Sequence, residues 1–212
     1  MARVLDKRVV NPALDVACDT SGNYQAAPLT HGTEIVTRHF ETARFGVIDV
    51  DADLVVTFSE GLIGFENCRE YVVVRHDDNS PFRWLQSLDL PGVAFPIVEP
   101  NSFRPDYAPT ISDSDARTLN LKRDTPTLLF VTVSVPGHDP RALTANLLAP
   151  LVINGEARQG KQVIVQDDGF TTRHEVVKEL ERTARLAQAP ASTAGSVTTS
   201  DASSGADTVR AA

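Results

Sequence analysis

A period-two alternation of apolar and polar residues runs through the middle of the chain and constrains its fold more than any other feature. Between residues 44 and 174 the apolar runs are short and are separated by Gly, Pro and Asp. Successive side chains of a β-strand point to opposite faces, so this pattern predicts strands rather than helices. Many short strands with short connections predict a mainly β fold, either a small antiparallel β-barrel or a sandwich. The predicted strands comprise residues 45–50, 54–58, 71–75, 82–88, 93–98, 127–135, 143–148 and 161–166.

One or two short helices are predicted by their start signals. Ser112, followed by Asp115, supplies an N-cap and an early acid for a helix at 116–119. The residues Thr-Arg-His-Glu at 172–175 resemble a capping box and predict a second helix at 176–188. The apolar stripe of this second helix would dock on the domain or on a partner protein. The stripe consists of Val177, Leu180, Ala184 and Ala187.

The large apolar side chains that a core requires are concentrated in one part of the chain. Of the thirteen aromatic residues, only Tyr24 and Phe40 lie outside 44–174. The C-terminal residues are rich in Ala, Ser and Thr and lack aromatics, which is typical of a disordered tail. We therefore expect a β-barrel-like domain between flexible termini. The predicted segments are an N-terminal extension (1–42), the domain (43–174), a C-terminal helix (175–188) and a disordered tail (189–212).

The net charge and the cysteine content limit the classes of partner. The formal net charge is −8, with the acidic excess in the middle of the chain. Such a surface repels phosphate backbones, so we expect no direct binding of nucleic acid. The surface would suit a basic protein partner, or it would serve solubility alone. Cys18 and Cys68 are far apart and form no metal-binding motif, and no apolar run is long enough to span a membrane. We expect a cytoplasmic protein without a membrane partner.

Two motifs resemble sites for chemistry but depart from the patterns that chemistry requires. Residues 155–162 approach a phosphate-binding P-loop, but Gln162 replaces the Ser or Thr that would bind magnesium. A strand rather than a helix is predicted to follow, so we interpret 155–162 as a turn between strands. His76-Asp77-Asp78 could be a metal or acid–base cluster, but Asp-Asp-Asn-Ser-Pro is also typical of a loop between strands. We expect no catalytic, metal or cofactor site.

Two segments have features of protein-binding surfaces. The first, Glu-Gly-Leu-Ile-Gly-Phe at 60–65, would expose Leu62 or Phe65 as an anchor, or Phe65 would plug one end of the barrel. In the second, 146–154, Pro150 cannot donate to a central ladder and marks an edge, a bulge or a strand end. An edge would accept a strand from a partner. The candidate partner-binding residues are Glu60, Leu62, Ile63, Phe65, Asp77, Asp78, Asn146, Leu147, Pro150 and Asn154.

Four sequence blocks together resemble the flagellar assembly factor FliW family. They are Glu-Gly-Leu-Ile-Gly-Phe-Glu at 60–66, Ser-Pro-Phe-Arg-Trp-Leu-Gln-Ser-Leu at 80–88, Leu-Thr-Ala-Asn-Leu-Leu-Ala-Pro-Leu-Val-Ile-Asn at 143–154, and Gly-Lys-Gln-Val-Ile-Val-Gln at 160–166. The blocks occur in the family's order and spacing, over about residues 43–174. The resemblance implies a small β-barrel-like fold, no enzymatic activity and no cofactor.

The resemblance also implies two protein partners, flagellin and the carbon storage regulator CsrA, a small RNA-binding repressor of flagellin translation. The factor would bind CsrA and relieve repression until accumulating flagellin occupies the factor and releases CsrA. An acidic protein docked on CsrA would repel RNA, and this hypothesis assigns the repulsion to acids such as Asp77, Asp78, Asp113 and Asp115. The alternatives are a flagellin-binding chaperone without CsrA binding and a small β-barrel enzyme.

Overall fold

The structure is a computed structural model and describes residues 3–4, 15–18, 24–26, 37–77 and 79–188, with side chains for 37–77 and 79–185. The predicted tail at 189–212 and Asp78 lie outside the described residues. The strands are β1 (Arg3–Val4), β2 (Asp15–Cys18), β3 (Tyr24–Ala26), β4 (Thr37–Thr42), β5 (Gly46–Asp51), β6 (Val56–Phe58), β7 (Glu70–Arg75), β8 (Phe82–Ser87), β9 (Ala94–Val98), β10 (Thr110–Ile111), β11 (Thr127–Ser134), β12 (Thr144–Ala145), β13 (Leu151–Asn154), β14 (Gln159–Gln162) and β15 (His174–Glu175). The helices are α1 (Asp113–Thr118) and α2 (Val176–Gln188).

Seven strands close into a barrel, in the order β6, β7, β8, β9, β11, β13, β14 and back to β6. The predicted mainly β, barrel-like fold is confirmed. Neighbouring strands are antiparallel except where β14 and β6 close the barrel in parallel, with Gln159 opposite Thr57 and Gly160 opposite Phe58. The barrel therefore departs from the fully antiparallel arrangement at the junction that completes it.

The barrel interior is filled by alternate residues of its strands. On β7, Tyr71 and Val73 belong to the interior cluster, whereas Val72 and Val74 face outward. Phe58 is fully buried in the interior, where its ring lies 5.3 Å from the ring of Tyr71 in a T-shaped arrangement. Such edge-to-face packing of large rings is a favourable way to fill a small core.

Other elements cover the outer face of the barrel. The β4–β5 hairpin packs Ile48 and Val50 onto the outward residues of β7. The region of α1 packs Leu119 onto Val152 of β13. At the start of α2, Val176 joins a third outer cluster. Strands that are buried on both faces are apolar at successive positions, which explains the continuous apolar runs in β7 and β13.

The segment predicted as a flexible N-terminal extension contains strands. β4 pairs along its whole length with β5, from Thr37 opposite Asp51 to Thr42 opposite Gly46. β2 lies parallel to β7 and antiparallel to β3, which extends the sheet beyond the barrel. β2, β3 and β4 therefore belong to this sheet, whereas β1 pairs with β10 in a separate two-stranded sheet. β4 escaped prediction because most of its side chains are exposed and the strand lacks an apolar alternation.

The edge predicted around Pro150 is not present. β13 begins directly after this proline and lies between β11 and β14, with all four of its residues buried. Pro150 thus marks a strand end, one of the three predicted options, and this strand has no free edge for a partner. Part of the strand predicted at 143–148 is also irregular, because only β12 is extended there.

The two helices are present, and the second has the predicted bounds of 176–188, but the residues before it and its docked face differ from the prediction. α1 is capped as expected, because Ser112 Oγ accepts a hydrogen bond from the Asp115 backbone N–H at 3.1 Å. The predicted capping box at 172–175 is wrong, since His174 and Glu175 form β15, which pairs with β12. Among the described residues, no helix is long and apolar enough to cross a membrane.

α2 docks through polar contacts rather than through its apolar stripe. Val176 and Glu179 are buried, whereas Leu180 is 47% exposed and Ala184 is exposed. The Glu179 carboxylate accepts hydrogen bonds from His174 and Arg182, and the Thr183 hydroxyl donates to the Phe103 carbonyl at 3.2 Å. The docked face is therefore different from the predicted one, because hydrogen bonds from His174 of β15 and Arg182 of α2 itself compensate for the burial of the acid.

Candidate protein-binding site

The two predicted binding segments meet at one end of the barrel. At this end β6, β11 and β14 finish and β9 and β13 begin, as the strand registers require. A groove of about 350 Å³ opens there, and we call it the mouth groove. It is lined by Leu62, Ile63, Phe95, Thr132, Asn146, Leu148, Ala149, Gln162, Ile164 and Thr172. The groove walls are mainly apolar, with a few amide and hydroxyl groups among them, a composition typical of recognition sites.

The loop at 60–65 is shaped by its two glycines. Gly61 and Gly64 have φ angles of 71° and 84°, which L-residues with side chains rarely adopt. The Phe65 backbone N–H donates to the Leu62 carbonyl at 2.7 Å, which closes a tight turn with Ile63 at its tip. A side chain at Gly61 would also meet the backbone of Glu66 at 2.6 Å. The turn geometry therefore fixes which side chain of the loop points outward.

The most exposed apolar residue of this loop is Ile63, and Leu62 is buried. Leu62 was predicted as an exposed anchor, but it is 3% exposed and belongs to the barrel core. Phe65 is 38% exposed, and its ring lies 4.9 Å from the ring of Phe95 in a T-shaped pair. Ile63 is 60% exposed at the rim of the groove. In the sequence, Gly64 indicated that Ile63 would be exposed. A glycine is favoured at the third position of a turn, and the residue before it then lies at the tip.

Gln162 ties the two sides of the groove together, and sequence reasoning missed this role. Its Oε1 accepts a hydrogen bond from the Ile63 backbone N–H at 3.0 Å, and its Nε2 donates to the Ala149 carbonyl at 3.3 Å. In the sequence, this residue attracted notice only as a departure from the P-loop pattern. Its amide supplies both an acceptor and a donor, which a Ser or Thr hydroxyl of shorter reach would not provide across this gap.

Ile164 was also missed as a site residue. The backbone N–H groups of Val163 and Val165 donate to the carbonyls of Pro150 and Leu148, so the pairing of β13 and β14 continues to the mouth. Both valines are buried, and Ile164 between them is 63% exposed and lines the groove. Alternation along an extended strand accounts for this exposure.

Lys161 of the near P-loop is held by carboxylates. Its Nζ lies 3.1 Å from Glu60 Oε1 and 3.2 Å from Asp115 Oδ1. Partial burial lowers the pKa of Lys161, but the hydrogen bonds and charges of the two acids outweigh that effect and leave the pKa raised. Gly160 and Lys161 lie in β14, so the turn between strands is confirmed but ends before them, at Arg158.

Most of the other candidate residues have structural contacts. Asn146 lines the groove, and its Oδ1 accepts from the Ala149 backbone N–H at 3.0 Å. Leu147 is fully buried, and its carbonyl accepts from the Tyr107 hydroxyl at 2.7 Å. Asn154 is 2% exposed, and its Nδ2 donates to the Leu119 carbonyl at 2.8 Å. Of the predicted segment 146–154, the structure places only its beginning at the groove.

Asp77 lies at the opposite end of the barrel, in the loop after β7. Its Oδ1 accepts from the Asn79 backbone N–H at 2.8 Å, which is the contact of an Asx turn. The structure therefore does not bring this acid together with the mouth groove. In the described part of the chain, no group of three or more His, Cys, Asp or Glu residues is placed to hold a metal ion.

Comparisons with known proteins agree on one family. Residues 39–176 match the family model described as FliW protein. The flagellar assembly factor FliW of Bdellovibrio bacteriovorus is 38% identical over 150 residues, which is 71% of this chain and 84% of that protein. The FliW of Leptospira biflexa is 36% identical over 146 residues, or 69% of this chain and 94% of that protein. A crystal structure of the flagellar assembly factor FliW superposes with a TM-score of 0.61 at 32% identity, covering 66% of this chain and 96% of that one. The chain belongs to the FliW family.

Proposed function

We propose that this protein is a non-catalytic, cytoplasmic flagellar assembly factor that binds CsrA and flagellin in turn. While bound to CsrA, it relieves the repression of flagellin translation. Once flagellin accumulates, flagellin takes the factor and CsrA is released. The observation that carries the proposal is the family match at 39–176, which spans the whole barrel and both segments of the mouth groove.

The mouth groove supports a role in binding proteins. Its lining includes Ile63 and Ile164, which are 60% and 63% exposed beside an otherwise mainly apolar depression. Large apolar side chains that surround a concave site are typical anchors or receptors of anchors in protein interfaces.

The test is a binding and competition experiment with the full chain. Purified CsrA and purified flagellin from the same organism are titrated separately into the protein by isothermal calorimetry. Flagellin is then titrated into the preformed complex with CsrA, and free CsrA is followed by its binding to a labelled flagellin leader RNA. We expect both proteins to bind and flagellin to restore RNA binding by CsrA.

Two outcomes would contradict the proposal. Binding of flagellin without binding of CsrA would leave only the chaperone function. Binding of both at once, without release of CsrA, would remove the switch. A reconstituted translation assay with a flagellin reporter provides an independent readout, because the factor should restore translation only when CsrA is present.

The repulsion of RNA by acidic residues is best tested with fewer substitutions than the sequence suggested. Asp115 is 18% exposed and pairs with Lys161, so its neutralisation would also disturb the groove. Asp77 and Asp113 are exposed and are not among the residues that line the mouth groove. Replacing these two with Asn should leave CsrA binding intact and raise the RNA affinity of the complex. An unchanged RNA affinity would refute the repulsion attributed to them.

A further inference from the structure

We infer that the mouth groove is the docking site for CsrA, which inserts one aliphatic or aromatic side chain flanked by Lys or Arg between Ile63 and Ile164. This inference rests on the proposed function, because it names the surface by which the regulator is held. It assigns the groove to one partner of stated chemistry, a basic protein segment with an apolar anchor.

The exposed apolar surface indicates where an anchor would be buried. Ile63 and Ile164 have the largest exposed fractions among the large hydrophobic residues of the described chain. Both line the same groove, whereas Val47, Leu90 and Leu180 are exposed elsewhere and do not line it. Leu62, which belongs to the barrel core, lines the same groove as the two isoleucines. An inserted side chain would therefore lose contact with water on several sides, as anchors of tight interfaces do.

The groove is held open before any partner arrives. The turn at 62–65 is fixed by its backbone hydrogen bond and by the positive φ of Gly64. Gln162 joins Ile63 on one side to Ala149 on the other. A site formed in advance avoids the cost of ordering a loop on binding, so the contact with one anchor side chain contributes more fully to affinity.

Charge at the rim selects a basic partner. The loop at 59–67 carries Glu60 and Glu66 and no base, and the segment 143–150 carries no charge at all. The remaining wall, 161–173, contains two acids and two bases, so the three segments together carry four acids against two bases. The mouth is therefore negative on balance, and complementary charge favours Lys or Arg beside the anchor.

Of these acids, Glu66 has the carboxylate that a basic partner can reach most easily. Its Oε1 accepts a hydrogen bond from the Gly64 backbone N–H at 2.9 Å, and the residue is exposed. That hydrogen bond lowers the pKa of Glu66, which keeps the carboxylate ionised beside the groove. A protein that binds RNA carries clustered Lys and Arg for the phosphates, so CsrA is the partner whose chemistry fits this rim.

Substitutions at the rim test the inference by calorimetry with CsrA and with flagellin. Ile63→Asp and Ile164→Asp should each weaken CsrA binding by about 30-fold, the loss that corresponds to removal of a hot-spot contact. Ile63→Ser removes the apolar surface without adding charge and should weaken binding in the same direction. Val47→Asp is the matched control, because Val47 is 58% exposed on β5, and it should bind CsrA as the wild type does.

A charge variant and a check of folding complete the test. Glu66→Gln should slow association several-fold and reduce the salt dependence of CsrA binding, as loss of a charge at an interface rim does. Thermal melts should show wild-type stability for all of these variants, since each changed side chain is exposed. If Ile63→Asp melts at a lower temperature than the wild type, Ile63→Ser takes its place in the comparison.

The outcomes separate the docking site from the function. Wild-type CsrA affinity in both isoleucine variants, or loss of flagellin binding alone, would overturn the inference and leave the proposed function standing. If the wild-type protein binds neither partner, the proposed function fails, and the inference that rests on it fails with it. Selective loss of CsrA binding in the isoleucine variants, with Val47→Asp unaffected, supports the inference.

Discussion

Replacing Gly160 with alanine will place a methyl group against the face of the Phe58 ring. An added Cβ would lie 2.5 Å from Phe58 Cζ and 2.7 Å from two further ring atoms. Ordinary contacts of a Cβ are about 1 Å longer, so the ring or the strand must move by about that distance. Neither moves freely: Phe58 is fully buried against Tyr71, and β14 is paired with β6 and β13 on its two sides.

The magnitude follows from the cost of overpacking a core. Inserting a methyl group into a packed site costs about 1–3 kcal/mol, and we place Gly160→Ala at about 2–3 kcal/mol because both neighbours are fixed. For a domain of this size, that loss lowers the midpoint of thermal unfolding by roughly 6–10 °C. Urea unfolding followed by circular dichroism measures the same loss as a lower midpoint with an unchanged slope.

Two further variants test whether contact with the Phe58 ring causes this loss of stability. Gly92→Ala is the control, because an added Cβ at Gly92 has no heavy atom within 4 Å. It should change stability by about 0.5 kcal/mol or less. Adding Phe58→Leu to Gly160→Ala should recover at least about 1 kcal/mol relative to the sum of the single changes, since the smaller side chain relieves the contact. If Gly160→Ala unfolds like Gly92→Ala, the close packing of β14 on Phe58 is wrong.

Three other substitutions test the groove and the docking of α2. Leu62→Asp buries an unpaired charge and should cost more than about 3 kcal/mol in urea unfolding, whereas Ile63→Asp next to it should unfold like the wild type. Gln162→Ala removes both hydrogen bonds across the groove, and hydrogen exchange of the Ile63 amide should become at least about tenfold faster without global unfolding. Burial raises the pKa of Glu179, but the hydrogen bonds from His174 and Arg182 and the charges of Arg104 and Arg182 outweigh burial and lower the pKa below 4.5. The folded state then binds fewer protons, so this stabilisation is present above pH 4.5 and is lost as the pH falls through the folded pKa. Glu179→Gln should therefore lower the melting temperature at neutral pH. As the pH decreases to about 3, the melting temperature of the variant should fall less steeply than that of the wild type. An equally steep fall in both proteins would refute the assignment of this pH dependence to Glu179.

Elements with a local signal were predicted well. β7 and β11 alternate or run apolar between turn residues, and their observed bounds differ from the predicted ones by no more than one residue. Ser112 predicted the start of α1 because its hydroxyl accepts from the backbone three residues ahead. These features depend on residues close in sequence, which is why inspection of the sequence finds them.

Features that depend on distant residues were not found. Pro150 left an edge, a bulge and a strand end open, and only the contacts of β11 and β14 show that it precedes a strand buried on both faces. The docked face of α2 is centred on Glu179, an acid that the apolar pattern excludes, and His174 and Arg182 make its burial possible. Gln162 acquires its role only when barrel closure brings it to the loop of Ile63. In each case a tertiary contact overrides the local pattern.

The parallel closure of the barrel has a consequence for the timing of synthesis. Thr57 of β6 pairs with Gln159 of β14, and Ile63 is bonded to a residue 99 positions further along the chain. Contacts over such separations form slowly, because the entropy of closing the loop precedes any stabilisation. The chain leaves the ribosome N-terminus first, so Ile63 emerges well before β14 is made. The mouth groove therefore does not exist on the nascent chain, and the capacity to hold a partner there arises only after nearly the whole barrel has been translated.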